Sequence, residues 1–229
     1  QAGKFNAKPL EKSISVPTKL GEDLGSLLID FDQDGDLDLY IARGGNEDKL
    51  GAASFQDVIY VNDGKGNFTK NLSALPSMLI SGKSIAVGDY DDDGDLDLFV
   101  GGNVVPQKYP LSPKSYLLKN ENGKFTDMTK SNNDLKEIGL VSEAVFTDYD
   151  NDNDLDLSFT GYSPSNGLLG TIYENTDFGF VMDNTVLPLK IGNSSIAWGD
   201  YDTDGDLDVF LMGDDDNNIK KAAFYENSA

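Results

Sequence analysis

The stretch DYDDDGDLDLFVGGN, residues 89–103, runs from a loop crowded with aspartates directly into a short apolar segment. The pattern recurs three times, as DFDQDGDLDLYIARGG at 30–45, DYDNDNDLDLSFTGY at 148–162 and DYDTDGDLDVFLMGD at 200–214. The copies begin 52 to 59 residues apart. A repeat of this length with strand-like content is typical of propeller blades, in which each repeat is one supersecondary unit. The sequence therefore predicts four units of one kind.

Each unit is predicted to contribute four strands. A short apolar segment precedes each loop, a second one follows it, and a hairpin with a turn comes next. The hairpins are VIYVNDGKGNFTK at 58–70, SYLLKNENGKFTD at 115–127 and TIYENTDFGFVMD at 171–183. We therefore expect an all-β fold, a β-propeller of four-stranded blades forming a single domain over residues 1–229. The blades are predicted at about 26–71, 84–128, 142–183 and 194–227.

The fourth unit contains only three of its four predicted strands. Gly3-Lys4-Phe5-Asn6 matches the sequence Gly123-Lys124-Phe125-Thr126 of the second hairpin, so residues 3–7 are expected to supply the fourth strand. The ring would then be closed by pairing of the N- and C-terminal strands, which removes exposed sheet edges. Two alternatives stay open: a fragment of a longer array, and a half-ring completed by a second copy in a homodimer.

Aspartates at alternate positions of a tight loop supply the oxygen ligands that calcium prefers. The predicted ligands are positions 1, 3, 5, 7 and 9 of each loop, with the backbone carbonyl acting at position 7. They are Asp30, Asp32, Asp34, Asp36 and Asp38; Asp89, Asp91, Asp93, Asp95 and Asp97; Asp148, Asp150, Asp152, Asp154 and Asp156; and Asp200, Asp202, Asp204, Asp206 and Asp208. We therefore predict about four structural Ca²⁺ ions.

Position 6 of each loop must reverse the chain sharply, and a positive φ is expected there. Glycine occupies it in three copies and Asn153 in the third, and asparagine tolerates this region better than other non-glycine residues. An EF-hand shares the opening of the pattern but needs a bidentate glutamate at position 12. The loops have Ile41, Val100, Phe159 and Leu211 there, so an EF-hand is not predicted. Magnesium is disfavoured because it prefers octahedral sites with several waters.

Composition limits the function classes. Forty acidic residues against eighteen basic ones give a net charge of −22, which disfavours nucleic acid and anionic membrane surfaces as partners. The chain has no cysteine and no histidine, which removes disulfides and the usual general base. No apolar run approaches the roughly 18 residues of a membrane span. We therefore predict no catalytic residues, no enzymatic activity and no membrane insertion.

At its four loops the sequence resembles the FG-GAP or VCBS repeat family, the calcium-loop blades of integrin α-subunit propellers and of many secreted bacterial proteins. The D-x-D-x-D-G-D-x-D pattern carries the resemblance over nearly the whole chain, and it is closer to the bacterial VCBS type. The resemblance implies that each loop joins strands 1 and 2 of a blade. It also implies a secreted or cell-surface adhesion module. Family propellers commonly have seven blades, whereas this sequence contains four repeats.

An up-and-down strand order places the most variable segments on the face opposite the calcium loops, where recognition is expected. The candidate ligand-contacting residues are Asn46, Glu47, Lys108, Tyr109, Tyr162, Asn166 and Asp214. The predicted partner is a glycan or an extracellular protein. The alternatives are a structural or assembly unit of a larger secreted protein and a polysaccharide-active enzyme. Trp198 is expected in the core, because the other copies have Leu28, Val87 and Phe146 at its position.

Overall fold

A computed structural model describes residues 21–132, 135–183, 187 and 189–227. A 3₁₀-helix spans Ala53–Phe55, and no helix in the described residues has the length and apolar character needed to cross a membrane. The strands in chain order are β1 Glu22–Ile29, β2 Asp38–Gly44, β3 Val58–Asn62, β4 Phe68–Asn71, β5 Ser81–Gly88, β6 Asp97–Val104, β7 Tyr116–Glu121, β8 Lys124–Asp127, β9 Leu140–Thr147, β10 Asp156–Ser163, β11 Gly167–Thr176, β12 Gly179–Asp183, β13 Gly192–Gly199, β14 Asp208–Asp214 and β15 Lys220–Tyr225.

The strands form four antiparallel sheets in which neighbours along the chain are hydrogen-bonded to each other. Sheet 1 contains β1 to β4, sheet 2 β5 to β8, sheet 3 β9 to β12 and sheet 4 β13 to β15. The three predicted hairpins are confirmed as the pairs β3–β4, β7–β8 and β11–β12. The fold is all-β, as expected. The predicted strand at residues 3–7 lies outside the described residues, so closure of the ring stays a prediction.

The first strand of every sheet extends further than its apolar segment indicates. These strands begin at Glu22, Ser81, Leu140 and Gly192. In each sheet the pairing of the first two strands shifts register near the end away from the aspartate loop. A bulge of this kind lets a strand bend and continue pairing, so glycine and polar residues without an apolar pattern still join the sheet.

The hydrophobic core lies between consecutive sheets. The first strand of each later sheet packs against the first two strands of the preceding sheet, and we call each such contact a joint. Buried side chains such as Tyr40 and Leu98 fill the joint between sheets 1 and 2, and Phe99 and Phe159 fill the next. In the third joint the half-buried Trp198 packs as expected for a core residue, and its indole N–H donates to Ser158 Oγ at 2.9 Å.

Each joint also contains a polar link made by one asparagine at the end of the third strand. Asn120 Nδ2 donates to the carbonyl of Phe31 in the loop of the preceding sheet at 2.8 Å. Asn175 makes the same bond to Tyr90 at 2.7 Å, and Asn227 to Tyr149 at 2.8 Å. Asn120 and Asn175 also donate to a carbonyl of their own loop. These bridging asparagines hold the loop ends of adjacent sheets in register.

We expect Asn175→Ala to lower the free energy of unfolding by about 1–2 kcal/mol, because the carbonyls of Tyr90 and Leu155 each lose a donor in a half-buried place. Urea denaturation followed by tryptophan fluorescence measures this loss. Asn217→Ala is the matched control, since Asn217 is exposed and should change stability by less than about 0.5 kcal/mol. Equal effects of the two substitutions would contradict a special role for the bridge.

Candidate metal centres

The four aspartate loops connect the first and second strands of the four sheets, as the family resemblance implies. Each loop is shaped by the aspartate at position 1, whose side chain accepts hydrogen bonds from the backbone further along. Asp89 Oδ1 accepts from the N–H of Asp93 at 3.1 Å, and its Oδ2 accepts from the N–H of Gly94 at 2.9 Å. Aspartate side chains are well suited to such local turns. The first carboxylate is therefore fixed over the loop before any cation binds.

Two positions in each loop have positive φ. The expected position 6 is confirmed, including Asn153 with φ 75° in the third loop. Position 4 shares this conformation, with φ 59° at Gln33 and 65° at Thr203. Sequence reasoning missed position 4, because none of its four occupants is glycine. The side chain of Gln33 offers a reason: its Nε2 donates to Gly94 O and to Asp95 Oδ1 in the next loop, both at 2.7 Å.

Three of the five predicted ligand residues in each loop converge on one point. The carboxylates at positions 1, 3 and 9 offer oxygen atoms that all lie within 4.8 Å of one another. The triads are Asp30, Asp32 and Asp38; Asp89, Asp91 and Asp97; Asp148, Asp150 and Asp156; and Asp200, Asp202 and Asp208. Three negative charges at this separation repel one another strongly unless a proton or a cation compensates them.

The position 9 carboxylates carry the largest electrostatic cost, because all four are buried. Burial disfavours the charged form, and it raises the pKa of Asp97 and of Asp156 to about 7 and that of Asp38 to about 6. Backbone N–H groups partly offset this effect, with the N–H of Asn120 at 2.7 Å from Asp97 Oδ1. A bound cation would compensate these charges more completely.

The donor set fits calcium. Each triad consists solely of carboxylates, which are hard oxygen ligands of the kind calcium takes six to eight of. Asp32 Oδ1 and Asp148 Oδ1 are buried, and no donor reaches either of them within the described residues. When bound, calcium supplies positive charge that ties the loop to the start of the second strand.

Positions 5 and 7 behave differently from the triads. The position 5 carboxylate accepts the N–H of position 7 in every loop, for example Asp93 Oδ1 from Asp95 at 3.0 Å. The position 7 side chain contacts a neighbouring loop in two cases: Asp95 receives Gln33, and Asp206 receives Asn151 Nδ2 at 2.8 Å. The ligand roles predicted at these two positions therefore stay predictions.

The second loop differs from the others because it contacts a lysine. Lys119 Nζ pairs with Asp91 and lies 2.9 Å from Asp93 Oδ2. The N–H of Asp95 and this ammonium group hold the pKa of Asp93 below its ordinary value. Lys119 thus supplies positive charge at this triad, and a cation binding there must share Asp91 with it.

The family model for FG-GAP-like repeats matches residues 30–100. Over this segment the chain is similar to FG-GAP-like repeats. The segment extends from position 1 of the first loop through the second loop and into β6. The third and fourth loops repeat the FG-GAP-like pattern with the same strand order and the same triads. No curated protein matches the chain. FG-GAP-like repeats are typically calcium-binding and occur in extracellular proteins.

The bridging asparagines, which connect the triads of sheets 2, 3 and 4 to a joint, were not predicted from the sequence. Their backbone N–H groups donate to the position 9 carboxylates, as does that of Asn62, the corresponding residue of sheet 1, at 2.7 Å from Asn62 to Asp38 and 2.9 Å from Asn227 to Asp208. A signal was present, because asparagine recurs at this place in YVN, LKN, YEN and YEN. Without the fold, however, nothing indicates that it contacts the loops.

The seven candidate residues for ligand contact separate into groups. Tyr109 and Tyr162 line one cavity of about 380 Å³, which lies at the strand ends away from the FG-GAP-like loops. The remaining five do not line this cavity: Asn46 and Glu47 contact Gln107, Lys108 forms a turn, Asn166 lines another cavity, and Asp214 pairs with Lys220 and with Asn193 at its rim. The structure thus brings together the two tyrosines, and the ligand roles stay predictions.

We expect Asp97→Asn to lower the number of tightly bound calcium ions by one, because the substitution removes a buried charged ligand from the second triad. Calorimetric titration of metal-free protein measures the stoichiometry. Asp92→Asn is the matched control, since Asp92 lies in the same loop at position 4, outside the triad. Loss of an ion in the control, or retention of all ions in Asp97→Asn, would contradict the assignment.

We expect the metal-free protein to be more stable at pH 5 than at pH 8. The folded carboxyls of Asp97 and Asp156 keep their protons up to about pH 7, whereas an unfolded aspartate loses its proton near 3.8. Folding therefore takes up protons between these values, and stability falls as the pH rises through 7. With saturating calcium the order should reverse, since calcium needs the deprotonated form. Thermal unfolding at both pH values, with and without calcium, measures the two trends.

Proposed function

We propose that this chain is a calcium-stabilised recognition module that binds a glycan on the face opposite the FG-GAP-like loops. The loops act as structural braces, and the ligand does not touch the calcium ions. An extracellular protein is the second partner class that such a face suits. A secreted or cell-surface location agrees with both. FG-GAP-like repeat domains are generally binding or structural modules without enzymatic activity.

The observation that carries the proposal is the cavity shared by Tyr109 and Tyr162. It is lined by three consecutive sheets: Asn103 belongs to sheet 2, Tyr162 to sheet 3, and Asn193 to sheet 4. Binding sites are usually concave and combine apolar or aromatic surface with a few placed polar groups. A site built from three sheets also depends on their correct relative positions, which the joints fix.

The lining chemistry favours a sugar. Tyr109 is 69% exposed and offers its ring to the solvent, and Tyr162 presents a second aromatic side chain. A sugar ring has an apolar face of C–H groups, which matches an aromatic ring, and hydroxyl groups at its edge, which match amides and carboxylates. Asn103, Asn193 and Asn218 supply such amides around the tyrosines. Tyrosine provides this mixed contact with few rotatable bonds.

The segment that carries Tyr109 is held by the neighbouring loop. The backbone N–H of Gln107 donates to Asn46 Oδ1 at 2.7 Å, and its side-chain amide donates to the carbonyl of Glu47 at 3.3 Å. These bonds restrain the segment before a ligand binds and so lower the entropic cost of binding. Asn46 and Glu47 therefore support the site without lining the cavity.

We expect the double substitution Tyr109→Ala, Tyr162→Ala to raise the Kd of a glycan found on an array by at least tenfold, about 1.4 kcal/mol, because both aromatic contacts are lost. Calorimetric titration with that glycan measures the change. Phe178→Ala is the matched control, since Phe178 is 95% exposed in the turn between β11 and β12 at the opposite end of the strands.

Calcium removal tests whether the calcium ions only stabilise the fold or also contact the ligand. Below the unfolding temperature of the metal-free protein, binding should persist with only a modest rise in Kd, since the ligand does not touch the calcium ions. Complete loss of binding while the β-sheet signal in circular dichroism is retained would contradict the proposed separation of faces. Absence of glycan binding under all conditions would favour the structural or assembly function instead.

A further inference from the structure

The four candidate metal centres differ in one neighbouring residue. The second and third strands of each sheet pair at position 10, so the residue one step further along the chain from the third-strand partner lies opposite the position 9 aspartate. Side chains of directly opposite residues lie on the same face of a sheet. We call this residue the facing residue. It is Val61 in sheet 1, Lys119 in sheet 2, Glu174 in sheet 3 and Glu226 in sheet 4.

Lys119 shows where a facing side chain can reach. Its Nζ pairs with Asp91 at position 3 and lies 2.9 Å from Asp93 Oδ2 at position 5. Asp91 is a member of the second triad. In the first loop, the buried Oδ1 of the corresponding Asp32 receives no donor within the described residues. Lys119 thus gives the second triad a positive charge of its own before any ion binds.

The facing residues of sheets 3 and 4 carry the opposite charge. The carboxylate of Glu226 raises the pKa of Tyr201, which is position 2 of the fourth loop. Burial, followed by Asp183 and other nearby carboxylates that include Glu174, raises the pKa of Tyr149 at position 2 of the third loop. Both glutamates therefore lie near the loop of their own sheet, as the strand register indicates.

The four centres consequently differ in charge. Each triad contributes −3, so the triad and its facing residue together carry −3 in sheet 1, −2 in sheet 2 and −4 in sheets 3 and 4. The second loop also has Asp92 at position 4, but Asp92 is exposed, whereas Lys119 touches two aspartates of the loop directly. Coulomb energies fall with distance, and water and salt screen exposed charges. The contact of Lys119 therefore outweighs the charge of Asp92.

We propose that the facing residue sets the affinity of each loop for calcium, and that Lys119 makes the second loop the last of the four to bind it. Calcium at the second triad must displace the ammonium group from Asp91 or share this carboxylate with it, and either weakens binding. Glu174 and Glu226 strengthen the attraction at the third and fourth loops, so these bind first. The first loop, which faces the uncharged Val61, binds between them and the second.

This order gives the chain a partly loaded state. At intermediate calcium concentrations three loops hold an ion, while Lys119 compensates part of the charge of the second. The inference deepens the proposed function and rests on its calcium-binding part, and it is independent of which ligand the opposite face binds.

Calcium titration of the metal-free protein, in competition with a chromophoric chelator, measures the Kd of each binding step. Asp97→Asn should remove the step with the highest Kd, because Asp97 belongs to the second triad. Lys119→Met keeps the aliphatic part of the side chain and removes its charge, so the Kd of the second loop should fall about tenfold. The number of bound ions should not change. Lys119→Arg keeps the charge and should leave the second loop the weakest.

A reciprocal substitution tests the rule in another sheet. Glu174→Lys should move one of the low Kd values into the range of the second loop. The matched control is Lys114→Met, which removes the same charge from an exposed residue just before β7, at the end of that strand away from the loops. All steps of this control should match those of the wild type.

Four equal Kd values in the wild type would overturn the proposal. A Lys119→Met variant that retains the highest Kd would do the same, as would an Asp97→Asn variant that loses a tighter step instead. All three outcomes leave the calcium-binding part of the proposed function intact, whereas a chain that binds no calcium would overturn both. If circular dichroism shows that Lys119→Met does not fold, Lys119→Gln gives the same test.

Discussion

The buried carboxylate at position 9 of each loop is the constraint on which the rest of the fold depends. Asp38, Asp97, Asp156 and Asp208 begin the second strands, and their side chains are almost entirely removed from water. A buried charge needs compensation from hydrogen bonds, a proton or a cation. Each receives an N–H from its bridging asparagine and lies within 4.8 Å of two further carboxylates. A bound cation would compensate all three at once.

Asparagine connects the buried position 9 carboxylates to the packing of the sheets on one another. The backbone of Asn120 donates to Asp97, and its side chain donates to Phe31 in the preceding sheet. Asn175 and Asn227 repeat the arrangement. The same asparagine therefore links the triad, the third strand and the joint beside it. We expect a change that destabilises one sheet to destabilise mainly the adjacent sheets, as in a repeat protein, in which each unit depends mainly on its neighbours.

The local parts of the fold could be predicted from the sequence. The loop pattern, the hairpins and the positive φ of Asn153 depend on residues close together in the chain. They were predicted from the sequence, and the structure confirms the hairpins and the positive φ. Features that need a neighbouring sheet could not be predicted. The positive φ of Gln33 accompanies contacts to a loop about sixty residues away. Likewise, Asn46 is a polar residue in a variable segment, as ligand-contacting residues often are. Its side chain instead accepts a hydrogen bond from the backbone N–H of Gln107.

Ring closure is another feature that depends on more than one sheet. Whether the first and last sheets of a repeat array meet depends on a rotation that accumulates over every joint, so no single segment determines it. What a local comparison can establish is the contact at each joint, which Asn120, Asn175 and Asn227 repeat from sheet to sheet.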